Sequence, residues 1–207
     1  MAYRSSDKTR KKKDTKRTSM MQAAVRVFAE KGYHAATVRD VVQAAEVAIG
    51  TFYFYFPDKE TLFVHLYEET ADFLMQTIGQ AVVGRPSFSQ KVYAGLSAYM
   101  NIAIYEPAVV QLLLVGGVGT VPSLTAKRRA FRLKLIQMWQ QILDNAVHQS
   151  VIISQNTRRT AEAITGAVDE VVLQLLEYPD SEERVETAVH ELAAFVLRAV
   201  GYNEIIE

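Results

Sequence analysis

The chain has 207 residues, 49% of them apolar, with equal numbers of basic and acidic side chains. That balance supports a folded protein with a substantial core and excludes a disordered or low-complexity chain. There is no cysteine, which excludes disulfides, thiolate catalysis and cysteine-ligated zinc or iron, and no apolar run is long enough to span a bilayer. The N-terminus is basic without an apolar signal segment, so a cytoplasmic location is expected.

The zero net charge conceals an asymmetry. Residues 1–65 carry twelve Lys/Arg against seven Asp/Glu, which is +5; residues 66–207 carry eleven against sixteen, which is −5. A basic N-terminal part suits a polyanionic partner, because phosphate neutralisation supplies much of the affinity of proteins for DNA.

Residues 1–14 contain Arg4, Lys8, Arg10 and Lys11 to Lys13 with almost nothing apolar. They read as a disordered basic arm that can follow phosphates or enter a minor groove. A first helix is expected over about 15–31, with Met21, Ala24, Val25 and Phe28 inward and Gly32 as its stop. A short second helix follows over 37–45, with Thr37 as N-cap, Asp40 three residues on, and Val38, Val41, Val42 and Ala45 at helical spacing. Next comes the run Phe52-Tyr-Phe-Tyr-Phe56, which taken alone suits a strand. Placed after a small-residue turn and a short helix, it suits the second helix of a helix-turn-helix better.

Asp58 caps a long helix reaching about residue 83, with Leu62, Leu66, Phe73 and Ile78 on its pattern. Further helices are expected over about 88–105, 108–115 and 123–149. A glycine joint, Gly116-Gly-Val-Gly119, lies between the last two, and Val151-Ile-Ile153 forms a short strand-like connection. Two amphipathic helices, 157–177 and 181–200, close the chain around a turn at Tyr178-Pro-Asp-Ser181 and read as an antiparallel pair.

Four blocks stand in order: Ala23-Ala-Val-Arg-Val-Phe-Ala-Glu-Lys-Gly-Tyr33, Thr37-Val-Arg-Asp-Val41, Gly50-Thr-Phe-Tyr-Phe-Tyr-Phe56 and Asp58-Lys-Glu-Thr-Leu62. Through them residues 15–65 resemble the DNA-binding domain of the TetR family of one-component transcription regulators. The family usually has glycine in the middle of the turn that here reads Ala45-Glu46-Val47. A position there that needs positive φ suits glycine better than glutamate.

The resemblance implies an all-α fold. Its parts are the basic arm (1–14), a helix-turn-helix domain (15–62) and a helical effector-binding and dimerisation domain (63–207). It implies a ligand-responsive regulator, foremost a repressor, that binds a palindromic operator in double-stranded DNA as a homodimer and is released by a small apolar or aromatic effector. Thr37, Lys59 and the hydroxyls of Tyr53 and Tyr55 are expected at phosphates, and Arg39 at a guanine. Ala48, Ile49, Gly50 and Thr51 should add close apolar contacts, and Phe54 belongs to the same surface. Phe52 and Phe56 are assigned to the small core.

For the effector, Phe73, Tyr93, Tyr99, Met100, Tyr105, Leu113 and Trp139 are expected to line a pocket. Asn101, Gln111, Asp169 and Glu170 are its candidate polar groups. Ile164, Val168, Val171, Leu175, Val189, Leu192, Phe195 and Ala199 are expected at a dimer seam made by the last two helices. Lys127, Arg128, Arg129, Arg132 and Lys134 form a basic cluster that reads as a solvated face, or else as the seat of an anionic head group.

The four histidines are scattered, so no metal site is expected, and no cofactor motif or nucleophile–base arrangement is present. Two rivals remain: a ligand-independent architectural DNA-binding protein, and a small helical enzyme acting on an apolar substrate.

Overall fold

The computed structural model describes residues 7–116, 121–177 and 182–202. The described residues form nine helices and no strand. They are α1 (Asp7–Ala35), α2 (Val38–Ala44), α3 (Ile49–Tyr55), α4 (Lys59–Val82), α5 (Phe88–Tyr105), α6 (Pro107–Leu114), α7 (Pro122–His148), α8 (Thr157–Glu177) and α9 (Glu182–Ala199). Three expectations fall wholly or partly outside the described residues: the arm over 1–6, the glycine joint beyond Gly116, and the turn over 178–181.

Helix α1 starts at Asp7, eight residues before the expected start, so residues 7–14 lie on a helix and not in an arm. The reason is compositional. This stretch has neither Gly nor Pro, and lysine and arginine are good helix formers when a helix continues beyond them. At the other end Gly32, at φ 71 and ψ 165, breaks α1 where expected. Ser87 caps α5 through the Gln90 N–H, and prolines stand in the first turns of α6 and α7, where a missing N–H is tolerated.

Helices α1 to α3 pack as a head, with α1 also touching α4 and α6. Helix α4 leaves the head and lies against α5 and α7, while α5 runs through the body and meets α4, α6, α7, α8 and α9. A single apolar cluster runs from Met20 and Phe28 in the head to Val196 in α9 and Val200 just beyond it. The α4–α7 seam is also polar: Lys127 pairs with Glu68, Lys134 with Asp72 at 2.9 Å, and Ser123 bonds Glu60. The basic cluster of α7 stays on the surface, with Lys127, Arg129, Arg132 and Lys134 exposed as a solvated face would have them, while several of its charges pair with neighbouring helices. None of the described helices is long and apolar enough to cross a membrane.

Candidate nucleic-acid interface and effector region

The aromatic run folds as helix, and its burial pattern shows why. Phe52 and Phe56, four residues apart, are buried with ring centroids 5.8 Å apart, whereas Tyr53 and Phe54 point outward, Phe54 being 64% exposed. A strand would have buried Phe52, Phe54 and Phe56 together. Ala48, Ile49 and Gly50 are exposed beside Tyr53, and Thr51 and Tyr55 are half-buried. Arg39, on α2, is exposed as well. All of these exposed residues lie on α2, on α3 or at the N-cap of α3, within the positively charged part of the chain.

The turn between α2 and α3 holds Glu46 at φ 54, the left-handed conformation that the departure from glycine raised as a question. The turn closes through the Val47 N–H on the Val42 carbonyl at 3.0 Å and the Glu46 N–H on Gln43 at 3.2 Å. Glutamate occupies the conformation at a cost, and the two bonds hold the turn between α2 and α3.

Thr37 and Lys59 are placed otherwise than as free phosphate ligands. The Thr37 hydroxyl accepts the Asp40 N–H at 3.2 Å and donates to Asp40 Oδ2 at 2.8 Å, while Thr37 N–H donates to the same oxygen. Lys31 reaches Asp40 Oδ1 at 2.8 Å. Lys31 first and then Thr37 hold the Asp40 carboxyl down to about 2. Lys59 turns its ammonium into the head, donating to the Tyr33 carbonyl at 2.6 Å and that of Ala36 at 2.9 Å.

The eleven residues expected around an effector are not brought to one place. Tyr99, Met100, Leu113 and Trp139 are buried in the body. Tyr93 and Asn101 line a groove of about 720 Å³ between α5 and α9, with Arg85, Ser97 and His190. Tyr105 lines a smaller neighbouring recess of about 240 Å³. Phe73, 48% exposed, faces a crevice of about 610 Å³ where α1, α4 and α6 meet, because α1 and α6 do not cover that turn of α4. Gln111 and Glu170 are exposed, Glu170 accepting a weak bond from Gln174 at 3.4 Å. Aromatic spacing identifies inward faces but cannot say which cavity, if any, a face borders.

Asp169 is the polar group that meets the interior. Its Oδ1 accepts from the Tyr99 hydroxyl at 3.3 Å and its Oδ2 from Arg132 at 2.6 Å. Burial raises its carboxyl above 3.8, with Arg132 and Tyr99 opposing the shift. Tyr67 lies near enough to share the field, and burial pushes its phenol up to about 12. Arg128 stands 5.9 Å from the Tyr67 ring and donates to the carbonyls of Leu114 and Gly116, at 2.6 and 2.7 Å, tying α7 to the end of α6. Tyr67 was not singled out in the sequence, although it stands four residues after Phe63 on the inward face of α4. Arg128 and Arg132 were visible only as part of a charge cluster.

The dimer-seam expectation needs correcting residue by residue. Ile164, Val168, Leu175, Val189 and Leu192 are buried within the single chain; Val171 is half-buried, and Phe195 (51%) and Ala199 are exposed. The strongest apolar stripe of each helix faces the chain's own core, and the outward surface is its flank. Between α8 and α9 that flank borders a groove of about 610 Å³ with Val171, Thr187, Ala188, Glu191 and Phe195 along it. Among the described residues no group of three His, Cys, Asp or Glu is arranged to hold a metal.

Comparison with known proteins agrees with this architecture. Residues 20–66 match the family described as bacterial regulatory proteins, tetR family, and residues 89–198 match the tetracyclin repressor-like C-terminal domain. The fatty acid metabolism regulator protein of Bacillus subtilis is 29% identical over 92 residues, spanning 44% of this chain and 47% of that regulator. The HTH-type transcriptional regulator YvdT of the same organism is 24% identical over 183 residues, covering 88% and 93% of the two chains. Among solved structures, FadR of Bacillus subtilis in complex with stearoyl-CoA superposes with a TM-score of 0.78 at 20% identity, covering 86% of this chain and 96% of that one. FadR from Bacillus halodurans gives 0.77 at 22% identity, with 87% and 97% covered. With its helix-turn-helix head and the matched C-terminal body, which together take up most of its length, the chain belongs to the TetR family of transcription regulators.

Proposed function

We propose that the chain is a homodimeric, ligand-responsive repressor of the TetR family, with its head over 15–62 and its effector and dimerisation body over 63–207. The observation that carries the DNA-binding part is the division of α3: Phe52 and Phe56 anchor the helix while Ile49, Gly50, Tyr53 and Phe54 stand exposed, as does Arg39 of α2, on the +5 part of the chain. Leaving large apolar side chains in water is unfavourable, and a compact exposed set of them marks a contact surface. Arg39 is the base reader, through guanine O6 and N7, with Ala48, Ile49 and Gly50 in apolar contact and Thr51, Tyr53 and Tyr55 along the backbone.

Two copies would join through the exposed flank of α8 and α9, with Val171, Phe195 and Ala199 as its apolar part, so that two heads address successive major grooves about 34 Å apart. The effector would act on the interior around Tyr67, Tyr99 and Asp169, next to Arg132, because there α4, α5, α7 and α8 each contribute a polar group to one region. FadR of Bacillus subtilis, solved with stearoyl-CoA, supports a long apolar chain as the first effector class to test. A coupling of about 1–3 kcal/mol would suffice for release. We infer no catalytic role.

The test is fluorescence anisotropy with DNA from upstream of the chain's own gene, against scrambled competitor, at ~150 mM salt. Tight binding that survives the competitor and falls by ~10-fold or more in Arg39→Ala is expected. Equal affinity for both duplexes would refute sequence-specific control of that site and favour the architectural rival.

A further inference from the structure

The ammonium of Lys59 is surrounded by the head's own backbone. It donates to the carbonyls of Tyr33 and Ala36 at 2.6 and 2.9 Å, approaches that of His34 at 3.4 Å, and lies 4.3 Å from the centre of the Tyr33 ring. Those carbonyls follow the break of α1 at Gly32 and lead into Thr37 and α2. An ammonium has three donors and no more. The carbonyl end of a helix also carries partial negative charge, which a cation offsets. On the far side of the same corner, Lys31 of α1 holds Asp40 of α2 at 2.8 Å. Two lysines, one from α1 and one from the first residue of α4, therefore fix the corner from which Arg39 projects.

We propose that Lys59 is a positioning residue for DNA recognition: it pins the start of α4 to the α1–α2 corner and so holds Arg39 and α3 in one pose, with its charge satisfied inside the protein and not by a phosphate. The proposal rests on the DNA-binding reading above, but the pin itself exists in the free chain. It departs from the sequence expectation, which gave the charge of Lys59 to the DNA backbone. It also gives α4 a mechanical role, since this helix continues from the pinned corner to Tyr67 in the body, and a movement of α4 would carry the corner with it.

The experiment uses the full chain, with Lys59→Met and Lys59→Gln to remove the charge and Lys59→Arg to keep charge and donors. Circular dichroism sets a temperature at which every variant is fully folded, and there affinity for a duplex selected by the wild type from random sequence is followed across a salt series. Lys59→Met and Lys59→Gln are expected to bind ~10-fold or more weakly, the scale of one charge-assisted hydrogen bond. The slope of log affinity against log salt should remain that of the wild type, and Lys59→Arg should recover most of the loss. Amide exchange over residues 33–40 should quicken in free Lys59→Met. A slope shallower by about 0.9 would assign Lys59 to a phosphate and overturn the proposal. Unchanged affinity of the folded Met and Gln variants would make the pin merely structural, which also overturns it. If the wild type selects no duplex, the DNA-binding reading fails on its own, and unchanged amide exchange in Lys59→Met would separately dispose of the pin.

Discussion

Gly50 offers a perturbation whose two effects have opposite signs. It is the second residue of α3, its backbone lies outside the left-handed region, and a Cβ built on it would meet no heavy atom within 4 Å. Nothing inside the chain requires glycine there. Glycine within a helix costs about 0.5–1 kcal/mol relative to alanine, through the backbone freedom it gives up. Gly50→Ala should therefore stabilise the protein by about that amount, which for a chain of this size raises Tm by roughly 1–4 °C. If the exposed face of α3 lies against DNA, the added methyl group holds the backbone away from the groove. The loss of one close base contact should then weaken specific binding by ~10-fold. Thermal melts by circular dichroism and anisotropy titrations on the same preparations read both numbers. A variant that is more stable and binds equally well would refute close approach at Gly50. One that is less stable would refute the local packing argument itself.

Three further outcomes follow from the geometry. Glu46→Gly should stabilise by about 0.5–1 kcal/mol, since relief of left-handed strain (about 1–2 kcal/mol) exceeds the added freedom of the unfolded chain (about 0.4–1 kcal/mol); Glu46→Ala should show no such gain, and equal urea midpoints for the two would contradict the strain at φ 54. Phe195→Glu, on an exposed site of the single chain, should change monomer stability by no more than about 0.5 kcal/mol yet weaken self-association by ~30-fold or more. Sedimentation showing an unchanged dimer would remove Phe195 from the interface. For Asp169, burial raises the folded carboxyl above its ordinary 3.8, so the folded state resists ionisation and the wild type should lose stability relative to Asp169→Asn as pH rises from 3.8. Denaturant midpoints whose difference stays constant with pH would show that Arg132 and Tyr99 fully offset the burial.

How much of this was legible in the sequence depends on what each signal encodes. Helical period, caps and breakers are local, and Thr37 with Asp40, Asp58, Gly32 and the spacing of Phe52 and Phe56 placed the head nearly as the structure has it. The start of α1 is not legible, because charge without apolar residues has the composition of disorder, whereas lysine and arginine extend a helix that is anchored further along. The site was less legible, since period tells which face turns inward and not what it meets there. Val189 and Leu192 carry the strongest stripe of α9, and the chain's own core takes them, leaving the weaker flank with Phe195 exposed on the single chain.

Charge has the same limit, and it bears on how the regulator would work. Lys127, Arg128, Arg132 and Lys134 appear in sequence as a basic cluster, yet they pair with Glu68, with the end of α6, with Asp169 and with Asp72 in turn. They join α7 to α4, α6 and α8 across tens of positions in the chain. The exposed pairs among them, Lys127 with Glu68 and Lys134 with Asp72, contribute little to stability, typically ~0–1 kcal/mol each. A coupling of about 1–3 kcal/mol is enough to move a regulator between two states, so several small, breakable links around α4 match the scale of the transition better than one strong one. Lys59 fixes one end of that helix and the α7 pairs hold its middle; an effector that disturbs Asp169 and Arg132 would act on the partners of the middle, while the pinned end carries the result to the head.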